Sequence, residues 1–194
     1  MILVIVGLPG SGKSTAAQLL REDGFRVIEL GDIWRELLRK NHIPRNDPIA
    51  TREFTKNLRL KYGKDIYAKY AYRRIRSSKD NVVIMGVRST YEMDYFWKHL
   101  KGLVVIAITS PLRTRFNRLK SRAKPEDPKT LKDFIWLNTR EKRGFLSDKK
   151  EEKHGVLVLI KNADYVISNT STVGGLEADL ETTIASAKKK YNMR

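Results

Sequence analysis

The 194-residue chain contains no cysteine. That excludes disulfides, thiolate metal sites and a cysteine nucleophile together, and it suits a cytoplasmic protein. Long apolar runs are also missing. The longest, Ile2–Val6 and Leu103–Ile108, fall far short of the ~20 residues that cross a bilayer. No basic stretch precedes the first run and no small-residue cleavage site follows it, so the N-terminus does not read as a signal peptide. His42, His99 and His154 are scattered without metal-ligand spacing. There is no internal repeat, no low-complexity segment and no linker, and the length suits a single domain over residues 1–194.

Acid is scarce relative to base: 22 Asp and Glu face 39 Lys and Arg, a net charge of +17. The excess is local. Residues 34–76 carry 13 basic side chains against 4 acidic, and residues 111–153 carry 14 against 7. Such segments are either solvated helical faces or surfaces that meet polyanions, whether substrate phosphates or RNA. No RNA-recognition motif, zinc finger or helix-turn-helix pattern accompanies them. The C-terminal Lys188-Lys189-Lys190 suits the end of a helix.

What is present is an alternation of short apolar strands with helical patterns. Strands are expected at Ile2–Val6, Val27–Leu30, Asn81–Met85, Leu103–Thr109 and Ala163–Ser168. Helices are expected from Lys13 to Asp23, over 33–40, over about 49–76, after Ser89 to Leu100, from Ser110-Pro111 to Arg122, over 130–143 and from Val173 to Tyr191. Asp47-Pro48 and Asp65 are starts for two helices within 49–76, and Ser89 with Glu92 forms a capping box. Gly144–Gly155 reads as a charged, irregular excursion. Trp34, Trp97 and Trp136 are expected at helix interfaces. This order implies right-handed βαβ crossovers and a parallel five-stranded sheet covered on both faces, an α/β three-layer sandwich.

Between the first strand and the first helix lies Gly7-Leu8-Pro9-Gly10-Ser11-Gly12-Lys13-Ser14-Thr15, which matches G-x-x-x-x-G-K-[ST]. Its glycines permit a tight loop whose backbone N–H groups converge on an anion. The helix that follows aims its positive end at the same point. Lys13 can reach the β- and γ-phosphates of a bound nucleotide, and the Ser14 hydroxyl can join a Mg²⁺ shell. Residues Gly7, Pro9, Gly10, Ser11, Gly12, Lys13, Ser14 and Thr15 are therefore the candidate nucleotide-binding residues.

The loop, its position at the chain start and the short chain resemble the P-loop nucleoside monophosphate kinases. The resemblance narrows to adenylate-kinase-related and dephospho-CoA-kinase-like proteins, above all an archaeal group. It is carried further by Gly31-Asp32-Ile33-Trp34-Arg35, by Leu58-Arg59 with Tyr62-Gly63, and by Gly86-Val87-Arg88-Ser89. The helix with Arg115, Arg118 and Arg122 and the late strand Ala163-Asp164-Tyr165-Val166-Ile167 add to it. It implies a nucleotide-kinase-like fold that uses ATP and Mg²⁺, with an acceptor-binding helical segment at about 32–76 and a short lid at about 115–130. Asp32 would activate the acceptor or help hold the metal, or it is an ordinary helix cap. Arg35, Arg59 and Arg88 would lie on the acceptor side, or Arg59 is part of a solvated face. Arg115, Arg118 and Arg122 share one helix face by their spacing and would close over the transferring group, or lie in water.

The chain departs from this family twice. An Asp that ends the third strand in the archaeal group is Met85 here, and an Asp in the helix after the lid is Asn138. The first departure removes a carboxylate from around the metal without touching nucleotide binding. Two functions therefore stand: an ATP-dependent phosphotransferase acting on a small phosphorylated acceptor such as AMP, or a slow P-loop ATPase whose basic segments meet RNA or a ribonucleoprotein.

Overall fold

The computed structural model describes residues 1–76, 80–124, 127–143, 155–170 and 172–192. In chain order the elements are β1 (Ile2–Val6), α1 (Lys13–Glu22), β2 (Arg26–Glu29), α2 (Leu30–Lys40), α3 (Pro48–Tyr62), α4 (Ile66–Ile75), β3 (Val82–Met85) and α5 (Thr90–His99). They continue with β4 (Leu103–Thr109), α6 (Leu112–Arg122), α7 (Leu131–Arg143), α8 (Val156–Lys161), β5 (Tyr165–Ser168) and α9 (Val173–Asn192). All strand pairs are parallel, and the spatial order is β2-β3-β1-β4-β5.

The strands alternate their side chains between two cores. Leu3, Ile5, Val83, Met85, Ile106 and Ile108 point to the face covered by α1 and α9, where Ala16, Ala17, Leu20, Leu176 and Leu180 meet them. Val4, Val6, Ile28, Ile84, Val105 and Ala107 point the other way, onto α2, α4, α5 and α8. The inner strands β1, β3 and β4 are buried on both faces and have no polar alternation, which is why each reads as a continuous apolar run, whereas the edge strands β2 and β5 carry polar residues at their ends, Arg26 and Glu29 in one and Tyr165 and Ser168 in the other. The result is the expected α/β/α sandwich.

Because the strands are parallel, Val6, Glu29, Met85, Thr109 and Ser168 all end on one edge of the sheet. Beside β1 the connections diverge, one running toward β2 and the other, from β4, toward β5. Ligands of such sheets bind in the crevice at that point.

Several local expectations change. Helix α2 starts at Leu30, with Glu29 at the cap position, so Asp32 lies inside the first turn and does not cap it. The β3 exit packs closely against this start: a Cβ on Gly86 would lie 3.3 Å from the Leu30 nitrogen, so the two chain segments abut there. Asp47 does cap α3, accepting from the Ile49 and Ala50 N–H groups at 2.9 Å, with Pro48 following as the pattern requires. Asp65 precedes α4 without a side-chain cap bond. Helix α8 was not anticipated; it falls at the end of the charged stretch, most of which, 144–154, lies outside the described residues. Trp34 packs as expected and donates from Nε1 to Thr55 at 3.0 Å, whereas Trp97 and Trp136 stand 47% and 62% exposed. Among the described residues no helix is long and apolar enough to cross a membrane.

Candidate active site

The Gly7–Thr15 loop closes over the β1 exit and is held from three sides. Gly10 adopts φ +78°, and a Cβ there would lie 2.5 Å from the Arg115 carbonyl; Gly12 adopts φ +106°, with Asn169 Nδ2 2.1 Å from where its Cβ would be. Both positions therefore demand glycine twice over, by conformation and by space. Asn169, buried just after β5, donates to the Ser11 carbonyl at 2.9 Å. Arg115, 4% exposed, donates to the Pro9 carbonyl at 3.1 Å, to the Ser110 carbonyl at 3.0 Å and to Asn138 Oδ1 at 2.9 Å, and it lies 5.3 Å from the Phe134 ring centre. Lys13 Nζ donates back to the Leu8 carbonyl at 3.0 Å. Ser14 is exposed at the start of α1, with Thr15 half-buried beside it.

The three α6 arginines thus part company despite sharing a helix face. Arg115 is a buried tie beneath the loop. Arg118 reaches the Asn169 side chain at 3.2 Å and its carbonyl at 3.3 Å, on the β5 side of the loop. Arg122 forms a two-pronged pair with Asp127, which lies after the helix and is buried; Arg122 holds its carboxyl below the usual carboxylate range.

On the other side of the crevice Arg88 follows β3. Its side chain is half-exposed and pairs with the buried Glu141 of α7 at 3.2 Å. Its backbone N–H donates to Glu92 at 2.9 Å. Glu92 is buried, accepts that bond, faces Arg59 at 4.0 Å, and donates its own N–H to Ser89 Oγ. Burial pushes the Glu92 carboxyl up, against the pull of the Arg88 N–H and the Arg59 guanidinium. Arg59 also lies 5.6 Å from the Tyr67 ring centre, so it is turned inward and not solvated. Asp32 and Arg35 pair with each other at 2.5 Å on the outer side of α2, with Glu29 3.7 Å from Arg35.

Glu141 and Asn169 carry no motif and escape sequence reading, whereas Glu92 is legible only as the capping-box partner of Ser89 and not as the anchor of the Arg88 backbone. For α7 a signal exists but is inverted. Its buried residues are Phe134, Asn138 and Glu141, a helical stripe, while the apolar Leu131, Ile135 and Trp136 face out. A helix that buries an amide and a carboxylate and exposes leucine, isoleucine and tryptophan is shaped by what its polar side chains meet. Asn138 is held in the same way, its oxygen accepting from Arg115; nothing in the structure explains an amide here in place of a carboxylate.

The charges are coupled. Burial, then Arg88, and more weakly Arg115 and Arg122, lower the Lys13 ammonium from 10.5 to about 8, with Glu141 opposing. In the ligand-free protein Lys13 is therefore charged at neutral pH and half-charged near pH 8. A triphosphate favours the ammonium form, so its affinity should be flat approaching about pH 8 and fall above it, toward tenfold per pH unit, the limit for one linked proton. Titration calorimetry with an ATP analogue between about pH 7.5 and 9.5 checks this, and Lys13→Met should abolish the slope. An equal slope in that variant assigns the titration elsewhere.

The chain matches the AAA domain family over residues 3–144. A UPF0200 protein of Pyrococcus horikoshii is 34% identical over 190 residues, covering 95% of this chain and 96% of that protein. A UPF0200 protein of Methanothermobacter thermautotrophicus is 30% identical, over 98% and 92% of the two chains. Among solved structures, TT1252 from Thermus thermophilus superposes with a TM-score of 0.62 at 19% identity, covering 96% of this chain and 97% of that one. A gluconokinase from Sinorhizobium meliloti gives 0.56 at 13% identity, over 98% and 95% of the two chains. A shikimate kinase from Acinetobacter baumannii in complex with shikimate gives 0.56 at 16%, over 96% and 94%. The fold is thus that of P-loop kinase-like proteins.

Proposed function

The chain belongs to the AAA domain family and stands among the UPF0200 proteins, and we propose that it moves the γ-phosphoryl group of ATP to a small phosphorylated acceptor, a nucleoside monophosphate such as AMP being the leading candidate. One observation carries the proposal: Lys13, which would hold donor phosphates, and Arg88, which would hold the acceptor, lie within electrostatic reach of each other and of the buried Glu141. A simple nucleotide switch needs the first of these cations; a transfer between two phosphates needs both.

In this reading the loop N–H groups and Lys13 bind the donor phosphates. Arg118 and Arg122 add positive charge over the transferring group, while Arg115 keeps the loop in shape from beneath. Arg59 and Arg88 face the acceptor, with Asp32 and Arg35 at the edge of the same arm, residues 32–76; a short lid within about 115–130 would close over the site, with the buried Arg115 left beneath the loop. An acceptor oxygen bonds to the γ-phosphorus as the bond to the bridging β–γ oxygen breaks, and ADP leaves. The protein's part is positioning and stabilisation of spread negative charge. Among the described residues no cluster of three His, Asp or Glu offers a metal site of its own, and Met85 is packed in the apolar core, so the chain fits a metal that arrives with the nucleotide. Mg²⁺, held there by Ser14, would supply neutralisation of the β- and γ-oxygens.

The test is ADP formation from ATP with and without a panel of nucleoside monophosphates and a structured RNA. Strong stimulation by a monophosphate supports the transferase. A slow rate indifferent to every monophosphate and altered by RNA supports the alternative, a nucleotide-dependent RNA-binding ATPase. Within the first outcome, Arg88→Ala should raise the acceptor KM by roughly tenfold or more with the ATP KM little changed. Equal changes in both would make Arg88 a structural residue.

A further inference from the structure

We infer that Glu141 is a stand-in for the acceptor's anionic group: in the empty protein its carboxylate occupies the place, between Arg88 and Lys13, that the acceptor's phosphate takes on binding. The inference rests on the phosphotransferase reading above and deepens it.

A carboxylate buried to 5% exposure needs a reason, since removing a charge from water costs several kcal/mol unless it is well paired. Glu141 has Arg88 Nη1 at 3.2 Å. It also lies close enough to Lys13 to favour the ammonium form. The next residue, Arg140, lies 4.9 Å from the Trp136 ring centre and is within electrostatic reach of Arg88 and of Arg52 on α3. Arg88, Arg140 and Lys13 thus lie within electrostatic reach of the Glu141 carboxylate, and Arg52 lies within reach of Arg140. This is the environment of a bound anion, and the anion is supplied by the chain itself.

The two buried glutamates differ in what they hold. Glu92 anchors the Arg88 backbone N–H, so the main chain at Arg88 stays in place. Glu141 holds the half-exposed Arg88 head group, which can exchange partners without moving the backbone. Helix α7 has other attachments, Phe134 against Phe116 and Asn138 against Arg115, so it need not undock when Glu141 gives way. A phosphate monoester carries two charges and three terminal oxygens, and it competes for this cluster better than a carboxylate does. The ligand class implied is a dianionic phosphate. A neutral or carboxylate-only acceptor would leave Glu141 in possession of Arg88.

A competitor built into the site lowers apparent affinity by the fraction of time it vacates. Glu141→Gln removes its charge, and Glu141→Asp retracts its carboxylate by one methylene. Both variants and the wild type are to be titrated calorimetrically with inorganic phosphate and with AMP, with a non-hydrolysable ATP analogue saturating the loop. Either folded variant should bind phosphate roughly tenfold more tightly than wild type, and adding Arg88→Ala should erase the gain. Unchanged or weaker phosphate binding in a folded Glu141 variant overturns the inference, because a merely structural glutamate would give that result. The phosphotransferase reading fails on different data: no binding of the ATP analogue, or no transfer to any monophosphate, whichever way the Glu141 variants behave.

Discussion

Lys13→Ala should lower affinity for ATP by roughly 100-fold or more, the usual loss when one preorganised charged donor to a phosphate oxygen is removed from a half-enclosed site. The protein should nevertheless fold as well as before. Lys13 is not part of either apolar core, and its one described hydrogen bond runs to a loop carbonyl, that of Leu8. Burial and the charges of Arg88, Arg115 and Arg122 disfavour its ammonium form and Glu141 alone among the named groups favours it, so truncation relieves more repulsion than the attraction it removes. Calorimetry with an ATP analogue together with a thermal melt reads both halves. Unchanged affinity would remove Lys13 from the donor site. Lost affinity with a collapsed melting temperature would mean that the lysine supports the loop and not the ligand.

Arg115→Ala should have the opposite signature, a loss of about 3–5 kcal/mol in stability. The guanidinium is buried and hydrogen-bonds the Pro9 carbonyl, the Ser110 carbonyl and Asn138 Oδ1 over the face of Phe134. Removing it strands buried acceptors and opens a cavity between the loop, α6 and α7. Nucleotide affinity should fall as a consequence, because Pro9 loses its tether. Arg115→Lys should recover little, since an ammonium cannot present the fork that meets three acceptors at once. Urea unfolding is the measurement. Full stability with a large loss of turnover would show instead that Arg115 acts directly on the transferring group, as its place beside Arg118 and Arg122 in the sequence implies.

Legibility divided along sequence distance. The loop was readable because everything it needs is contiguous: an apolar strand, glycines at the positions of positive φ, a lysine and a helix start, all within Ile2–Thr15. The three inner strands were readable because burial on both faces leaves each one uniformly apolar, a local property, and the two edge strands by their short β-branched centres, Val27-Ile28 and Val166-Ile167. The cap at Asp47 and the pattern at Ser89 were local too.

The strand order, the split of three similar arginines into a buried tie, a partner of Asn169 and a partner of Asp127, and the burial of Asn138 and Glu141 were set by tertiary structure. Arg115 meets Pro9 across 106 residues and Asn169 meets Ser11 across 158. On an isolated helix Arg115, Arg118 and Arg122 are equivalent, and on α7 the hydrophobic rule turns Leu131, Ile135 and Trp136 inward. Packing reversed that rule because, apart from the patch that takes Phe134, the surface α7 meets is not apolar. It is the underside of a cationic site, where an amide and a carboxylate find partners that no leucine could satisfy. The sequence by itself therefore determined the strands, the donor loop and the segments that carry positive charge. Only the folded chain decided which charges face one another, because electrostatic pairing depends on separations in space that no local pattern encodes.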